Sequence, residues 1–384
     1  METAAQAPNQ ARPELAALTS LRGIAAILVM FHHFMFVLLL DIGRIIPSKL
    51  FYKSYLWVDL FFILSGFVLA YVYQNHFRAG VEGSTYRRFM QTRFARIYPL
   101  HLFVLLLFVG FESLQWLLSA LGAEGMDNLT DPFTSDQNPE TLITNLFLVQ
   151  TLHWKAYWNQ PAWSISAEWI IYFSLPFLMR WLLPVAHKSP AFLTGLALLP
   201  LAIIEWHFGD LGLEYAGWPM LVRCLSEATL GLMLFRCYQV GLFNNIASGR
   251  LLMPALAVNL VLLALPIPGV ISVAGFMWLV LCAARLPGSE PHLLNHSVLV
   301  YLGKISYSIY LVHWFIMDLF RETIRFFTGV PVSEALAFSD QLFVMAGLTL
   351  IVLGLSHLTY HLLEAPMRDR LKPRRYPQTQ PYKV

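Results

Sequence analysis

The stretch LTSLRGIAAILVMFHHFMFVLLL, residues 18–40, is apolar along almost its whole length and decides the class of fold. A helix of about 20 apolar residues crosses the hydrocarbon core of a bilayer. Comparable stretches recur along the rest of the chain: 55–73, 100–121, 163–185, 190–206, 219–238, 251–266, 269–283, 297–320 and 341–363. The sequence therefore predicts an all-α fold, a polytopic membrane helix bundle of about ten transmembrane helices. The tight turn at 266–269 leaves one alternative open, in which 251–283 forms a single re-entrant hairpin.

The composition supports a membrane protein and excludes several other classes. Of the 384 residues, 57% are hydrophobic and 13% are charged, whereas a soluble domain has roughly 45–50% and about 25%. The formal net charge of +3 is too small, and the basic residues too dispersed, for nucleic-acid binding. The three cysteines lie in or beside apolar stretches, at spacings that suit neither a disulfide framework nor a metal site. We therefore expect no nucleic-acid partner and no metal.

The distribution of basic residues predicts the orientation of the bundle. With an even number of spans both termini share one side, and most loop arginines and lysines fall on that side, including Arg87 and Arg88. Because cytoplasmic loops are rich in Lys and Arg, both termini are predicted to be cytoplasmic. A transmembrane domain at 15–370 would then lie between a cytoplasmic N-terminal segment, 1–14, and a basic, disordered cytoplasmic tail, 371–384.

Arg22 and His33 are ionisable residues inside the first stretch, where such groups are costly and therefore functional candidates. Three helical turns separate them, so they share one face at positions about 16 Å apart along the axis. His32 is rotated by about 100° from that face. A structural alternative remains open, in which Arg22 snorkels to the headgroups and His33 is a packed core residue.

Ser164 and Glu168 stand four residues apart in the fourth stretch and therefore share a helix face. A carboxylate within an apolar helix needs a partner or must be neutral. His33, at matching depth in the first stretch, is the expected partner. Such a pair would either stabilise the bundle or act as a general base that is oriented by a carboxylate.

Other polar residues extend this set. Arg93 and Arg96, one helical turn apart, suit bidentate binding of a phosphate, although topology alone also explains arginines there. Asp59 opens the second stretch, where an acid in the first turn of a helix is also common. The ninth stretch carries three polar residues on one face: Ser306, Tyr310 and His313.

Taken in order, these residues resemble the acyltransferase-3 family of bacterial membrane acyltransferases. The resemblance runs from about residue 15 to residue 370, and it rests on six segments in order: Arg22 with His33, the run from Asp59 to Phe67, Arg93-Phe-Ala-Arg96-Ile-Tyr-Pro, Trp163-Ser-Ile-Ser-Ala-Glu168, Ser306-Tyr-Ser-Ile-Tyr-Leu-Val-His313, and Glu364-Ala-Pro-Met-Arg368. Two positions depart from the family pattern. Trp169 stands where many members have a second acid, and Met367 replaces a common phenylalanine.

The resemblance implies an integral-membrane O-acyltransferase of the bacterial inner membrane. It would move an acyl group, most often acetyl, from cytoplasmic acyl-CoA to a sugar hydroxyl of an exopolysaccharide, lipopolysaccharide or other surface glycan. Succinyl or a longer acyl group stays open, as does a covalent acyl-enzyme rather than direct attack. Acyl-CoA is then a co-substrate rather than a bound cofactor, and the other partners are membrane lipids and a glycan or lipid-linked oligosaccharide acceptor.

The resemblance also implies roles for individual residues. His33 and Glu168 would be catalytic, with His33 as the general base, while Arg22, Arg93 and Arg96 would bind the donor. A supporting or substrate-binding role is assigned to four further residues: Asp59, Ser164, Tyr310 and His313.

Two other function classes fit part of the pattern. A proton-coupled secondary transporter also buries His, Asp and Glu along its pathway, but it does not need paired arginines beside a deep histidine. A receptor or lipid-binding scaffold without turnover is the third class.

Overall fold

The computed structural model describes residues 15–46, 48–152, 158–186, 189–209, 213 and 217–373. Helices are the only regular secondary structure in these ranges, so the all-α prediction is confirmed. The predicted cytoplasmic segment 1–14 lies outside the described residues, and so does the predicted tail beyond residue 373.

The bundle is built from helices that follow the predicted apolar stretches. They are α1 (Ala16–His33), α2 (Trp57–Phe77), α3 (Gly83–Ala120), α4 (Ala162–Val185), α5 (Pro190–Phe208), α6 (Trp218–Gln239), α7 (Leu252–Ala264), α8 (Gly269–Ala284), α9 (Ser297–Lys304), α10 (Ser306–Thr328) and α11 (Phe338–Thr359). Shorter helices lie in the connections, at Leu40–Ile45, Tyr52–Leu56, Pro139–Leu146, Val332–Ala335 and Ala365–Leu371.

Only part of these helices can cross a membrane by length and composition. Within the described residues six helical segments do so, and the bent pair α9–α10 brings the number to seven. α6 is long enough, but its 22 residues include Arg223, Glu227 and Arg236. α7 and α8, with 13 and 16 residues, are the two helices for which the re-entrant alternative was left open. The chain is thus a multi-pass membrane protein.

Two helix boundaries differ from the sequence prediction. α3 begins at Gly83 rather than near residue 100, so Arg93 and Arg96 lie on a helix and not in a loop. Hydropathy marks the apolar part of a helix, whereas the helix itself continues past the hydrocarbon core. The ninth stretch is broken at Ile305, where α9 and α10 meet at 62°.

Small residues allow the closest helix contacts. A Cβ atom at Gly66 of α2 would collide with the backbone of Ala228 in α6, and one at Gly231 would collide with the backbone of α2. Gly303, next to the α9–α10 break, lies against the backbone of Thr19 in α1 in the same way. Backbones approach this closely in membrane bundles only where side chains are small. These contacts fix α2 against α6 and α1 against α9.

Two short π-helical segments continue long helices beside polar residues. Phe34–Leu38 follows α1 directly after His33, and Tyr360–Glu364 follows α11 and ends at Glu364. Because a π turn contains an extra residue, it rotates the side chains that follow it, and such turns are frequent at functional sites. Both segments therefore mark the region where the functional side chains meet.

Candidate functional site

Residues from five helices enclose a cavity of about 140 Å³, here called the basic cavity. Its wall is largely apolar and aromatic. The polar members are Arg22 from α1, Ser65 from α2, Arg93 and Arg96 from α3, Ser164, Glu168 and Tyr172 from α4, and Ser306, Tyr307 and Tyr310 from α10. The structure thus brings together both predicted groups of arginines, Glu168, Ser164 and Tyr310, which are distant in sequence.

Two of the three arginines carry no ion pair in the described part of the chain. Arg22 makes no hydrogen bond there, and its electrostatic neighbours are Arg96, Glu168 and Glu364. Arg93 donates one hydrogen bond from Nη2 to the Tyr73 hydroxyl, at 3.3 Å, and its buried Nε has no partner. A buried guanidinium without a counter-ion is costly. These two side chains therefore leave donors free for an anionic ligand.

Aromatic rings, rather than a carboxylate, surround the guanidinium of Arg93. Its guanidinium carbon lies 5.5 Å from the centroid of the Tyr73 ring and 5.9 Å from the centroids of Phe89 and Tyr172. Arginine stacks on aromatic faces and keeps its charge there. The Tyr172 hydroxyl is also in hydrogen-bonding reach of Glu168.

Arg96 differs from the other two because it is already paired. Its Nη1 forms an ion pair with Oε1 of Glu364, which lies at the end of the second π segment. Ser308 donates to the other oxygen, Oε2, at 2.8 Å. Glu364 belongs to one of the six segments of the family resemblance, but no role was predicted for it from the sequence. Its function in the structure is to fix Arg96 beside the cavity.

Ser164 and Tyr310 form part of the cavity wall together. The Ser164 Oγ lies 2.8 Å from the Tyr310 hydroxyl, and the Pro161 carbonyl oxygen lies 3.0 and 3.1 Å from these two oxygens. Each hydroxyl has one proton, so one of them donates to the other and the second donates to Pro161. This network joins the start of α4 to the middle of α10. Glu168, one turn after Ser164 on α4, lines the same cavity and forms no ion pair with a described residue.

His33 is paired with His313 and not with Glu168, so the expected His33–Glu168 partnership is wrong. The His33 Nδ1 lies 2.9 Å from the His313 Nε2, and the two rings stack with centroids 5.1 Å apart. The titratable neighbours of His33 are His32 and His313, whereas Glu168 is a neighbour of Arg22. Equal depth in the membrane does not place two side chains on facing sides of their helices.

The hydrogen bonds of this pair fix its tautomers. The His313 Nδ1 lies 3.0 Å from the Ile309 carbonyl oxygen, which can only accept, so this nitrogen carries a proton. When both rings are neutral, the His313 Nε2 is then an acceptor, and the His33 Nδ1 donates to it. The lone pair of His33 is left on Nε2, which makes no hydrogen bond to a described residue. This is the protonation state that a general base requires.

His32 has a packing role, as its helix face predicts. It is buried, and its Nδ1 lies 3.0 Å from the Phe51 carbonyl oxygen. Its ring also contacts those of Phe36 and Tyr55. The rings of the two adjacent histidines touch, with centroids 5.2 Å apart, but their hydrogen-bond partners differ.

Asp59 belongs to a buried ion pair and does not line the basic cavity. Arg223 donates to its carboxylate from Nε, at 2.8 Å, and from Nη2, at 2.5 Å. Glu227 lies 3.6 Å from the Arg223 Nε, so the Arg223–Glu227 contact joins the same cluster. In contrast to Arg22, each guanidinium nitrogen of Arg223 donates to a protein group, which is typical of a structural ion pair.

A second cavity, of about 400 Å³ and here called the polar cavity, was not predicted from the sequence. It is lined by Glu112 and Gln115 from α3, Thr130, Asp131, Ser135, Asp136, Gln137 and Gln160 from the segment between α3 and α4, and Trp314, Asp318, Arg321, Glu322 and Arg325 from α10. The spacing of the α10 residues was the available signal, because Trp314, Asp318, Arg321 and Arg325 repeat at intervals of three and four.

α10 connects the two cavities and the histidine pair. Ser306 and Tyr310 line the basic cavity, His313 contacts His33, and Trp314 and Asp318 line the polar cavity. The Trp314 ring also meets the His33 ring edge-on, with centroids 5.0 Å apart. The His33–His313 pair therefore lies between an arginine-lined cavity and a carboxylate-rich cavity.

The family model and one of two similar proteins name an acyltransferase. The model of the acyltransferase domain family Acyl_transf_3 matches residues 15–360. The protein called Protein 2 in picA locus, from Rhizobium radiobacter, is 31% identical over 170 residues, which cover 42% of this chain and 82% of that protein. Acyltransferase MdmB from Streptomyces mycarofaciens is 27% identical over 283 residues, which cover 68% of this chain and 67% of that protein. No solved structure matches the chain.

Proposed function

Because the chain belongs to this family of membrane acyltransferases, we propose that it transfers an acyl group, most often acetyl, from cytoplasmic acyl-CoA to a sugar hydroxyl on the other side of the membrane. The acceptor is an exopolysaccharide, a lipopolysaccharide or another surface glycan, and the membrane is the bacterial inner membrane. The observation that carries the proposal is the order along α10, where His313, the partner of His33 from α1, lies between the basic cavity and the polar cavity.

The basic cavity suits the anionic part of the donor. Acyl-CoA carries phosphates, and Arg22 and Arg93 offer guanidinium donors that no protein carboxylate occupies in the described residues. The volume of about 140 Å³ holds only a segment of such a molecule. The rest of the donor would lie towards the cytoplasm, and the thioester would reach towards His33, about 16 Å beyond Arg22 along α1.

His33 is the proposed general base. Its Nε2 takes the proton of the acceptor hydroxyl while the oxygen attacks the thioester carbonyl carbon, so that a C–O bond forms and the C–S bond breaks. The imidazolium then returns its proton to the leaving thiolate of CoA. His313 holds the Nδ1 of His33 and spreads the developing positive charge over two rings. A covalent acyl-histidine intermediate would use the same free Nε2.

Glu168 acts in this proposal on the donor side of the reaction. It lies in the basic cavity near Arg22 and in reach of the Tyr172 hydroxyl. A carboxylate there limits the net positive charge of the empty cavity and orients Arg22 for the incoming phosphate. This role replaces direct orientation of His33, which His313 performs.

Two measurements test the proposal. The purified chain in lipid nanodiscs is given acyl-labelled CoA and a surface-glycan extract, and label in the glycan together with free CoA thiol is the expected result. Mass analysis of surface glycans from cells with and without the protein should show the mass increment of the acyl group. A proton-coupled transporter would instead leave acyl-CoA intact under all these conditions, and that outcome would overturn the proposal.

A further inference from the structure

The polar cavity has the features of a built ligand site. Its volume of about 400 Å³ lies within the range of small-molecule pockets, roughly 300–1,000 Å³. Its wall on the loop side is anchored, because the Phe133 backbone N–H donates to the Glu112 Oε2 at 2.9 Å and the Asn128 Nδ2 donates to the Phe326 carbonyl oxygen at 3.1 Å. Phe133 has a φ of 60°, a backbone conformation that costs energy in a residue with a side chain.

Two largely buried residues line this cavity with polar groups that the protein does not use. Gln115 is 6% exposed and Trp314 is 7% exposed, and neither the amide nor the indole N–H makes a hydrogen bond to a described residue. Their polar atoms are not among the buried atoms that lack a partner, so they stay accessible to a ligand or to water. An amide that offers both a donor and an acceptor, next to an indole that offers an apolar face and a donor, matches the hydroxyl groups and C–H faces of a sugar.

The charges around the cavity restrict which sugars can bind there. Five carboxylates line it: Glu112, Asp131, Asp136, Asp318 and Glu322. Only two guanidinium groups oppose them, and one of these, Arg321, already pairs with Asp318 and Glu322. The cavity therefore carries a negative excess, which repels an anionic ligand and accepts a neutral or cationic one.

From this geometry we infer that the polar cavity binds the acceptor and selects an uncharged or amino sugar over a sugar that carries a carboxylate or phosphate. This inference rests on the proposed function, because only that function makes the bound sugar the acceptor. Trp314 is the link, because it lines the cavity and its ring makes a T-shaped contact with the ring of the reacting histidine. Gln115 and Trp314 fix the sugar, and Asp131 and Asp136 exclude its anionic counterparts.

The test measures sugar binding without acyl transfer. Saturation-transfer NMR on the full chain in nanodiscs compares methyl glucoside, methyl glucosaminide and methyl glucuronide. The two non-anionic glycosides should bind, and the glucuronide should bind about tenfold more weakly or not at all. Gln115→Leu should weaken glucoside binding about tenfold, the size expected when one buried hydrogen-bonding group is removed.

A second pair of variants isolates the charge. Asp131→Asn with Asp136→Asn should improve glucuronide binding, whereas Glu124→Gln, an exposed acid of the same loop that does not line the cavity, should have no effect. Equal binding of glucoside and glucuronide, no binding of either neutral or amino sugar, or glucoside binding that is insensitive to Gln115→Leu would each overturn the inference. Acyl-CoA turnover is measured separately, so failure of the proposed reaction is recognised independently of sugar binding.

Discussion

The basic cavity and the polar cavity lie on either side of one histidine pair, and the charged side chains that line them are predominantly of opposite sign. In the basic cavity Arg22 and Arg93 are unpaired within the described residues, among aromatic and apolar side chains. In the polar cavity the arginine Arg321 is paired and carboxylates are in excess. The difference indicates that two substrates of different charge reach the same reactive group from opposite ends, as a transfer between a phosphorylated donor and a sugar requires.

The largest loss of activity is expected when His33, which lies between the two cavities, is replaced. We expect His33→Ala to lower acyl transfer by about 10²–10⁴-fold, the usual contribution of a general base. His32→Ala is the control, since the His32 ring touches the His33 ring, with centroids 5.2 Å apart, but takes no part in the His33–His313 hydrogen bond. Both variants are assayed at matched protein levels in nanodiscs. If His32→Ala lost more activity than His33→Ala, the catalytic assignment would be wrong.

The fold was predictable from the sequence to the extent that hydropathy determines it. Apolar stretches locate the helices, but hydropathy does not detect that α3 extends back to Gly83 or that α9 and α10 break at Ile305. The first depends on polar residues that still form helix, and the second lies beside the close contact of Gly303 with Thr19, which arises from packing between helices. Both are determined outside the apolar pattern itself.

The site was predicted in its members but not in its partnerships. Arg22, Arg93, Arg96, Glu168, Ser164 and Tyr310 do meet at one cavity. The choice of His313 rather than Glu168 for His33, and of Arg223 for Asp59, depends on how each helix is rotated about its axis. A single sequence carries periodicity within one helix, whereas the facing of two helices arises from packing.

The second-largest loss of activity is expected when His33 loses the partner that orients it. His313→Phe removes the acceptor of the His33 Nδ1 proton, and we expect kcat to fall about 10- to 100-fold, the size seen when the partner of a functional histidine is lost. His313→Gln keeps a side-chain acceptor and should recover part of this loss. The KM values for donor and acceptor should change little. A large rise in the donor KM would instead place His313 in donor binding.

The third effect concerns binding of the donor in the basic cavity. Arg22→Gln should raise the KM for acyl-CoA about 10- to 100-fold, because a charge-assisted hydrogen bond contributes roughly 1.5–3 kcal/mol. Arg250→Gln, at an exposed arginine that does not line the basic cavity, serves as the control for general loss of basic charge. Glu168→Gln combined with Arg22→Gln should be non-additive, since the two groups influence each other in one cavity. Independent losses would show that Glu168 acts elsewhere in the reaction.

The smallest effect is expected at Arg96, the arginine of the basic cavity that has a protein partner. Lysine keeps the charge and an ion pair with Glu364 but loses the planar fork. Arg96→Lys should therefore insert normally and raise the KM for acyl-CoA only a few-fold, with a small decrease in melting temperature. Glu364→Gln is the matched variant, because it releases Arg96 while leaving its charge in place. If Arg96→Lys raised the donor KM as much as Arg22→Gln does, Arg96 would bind the donor directly despite its ion pair, and pairing would not distinguish the arginines of this cavity.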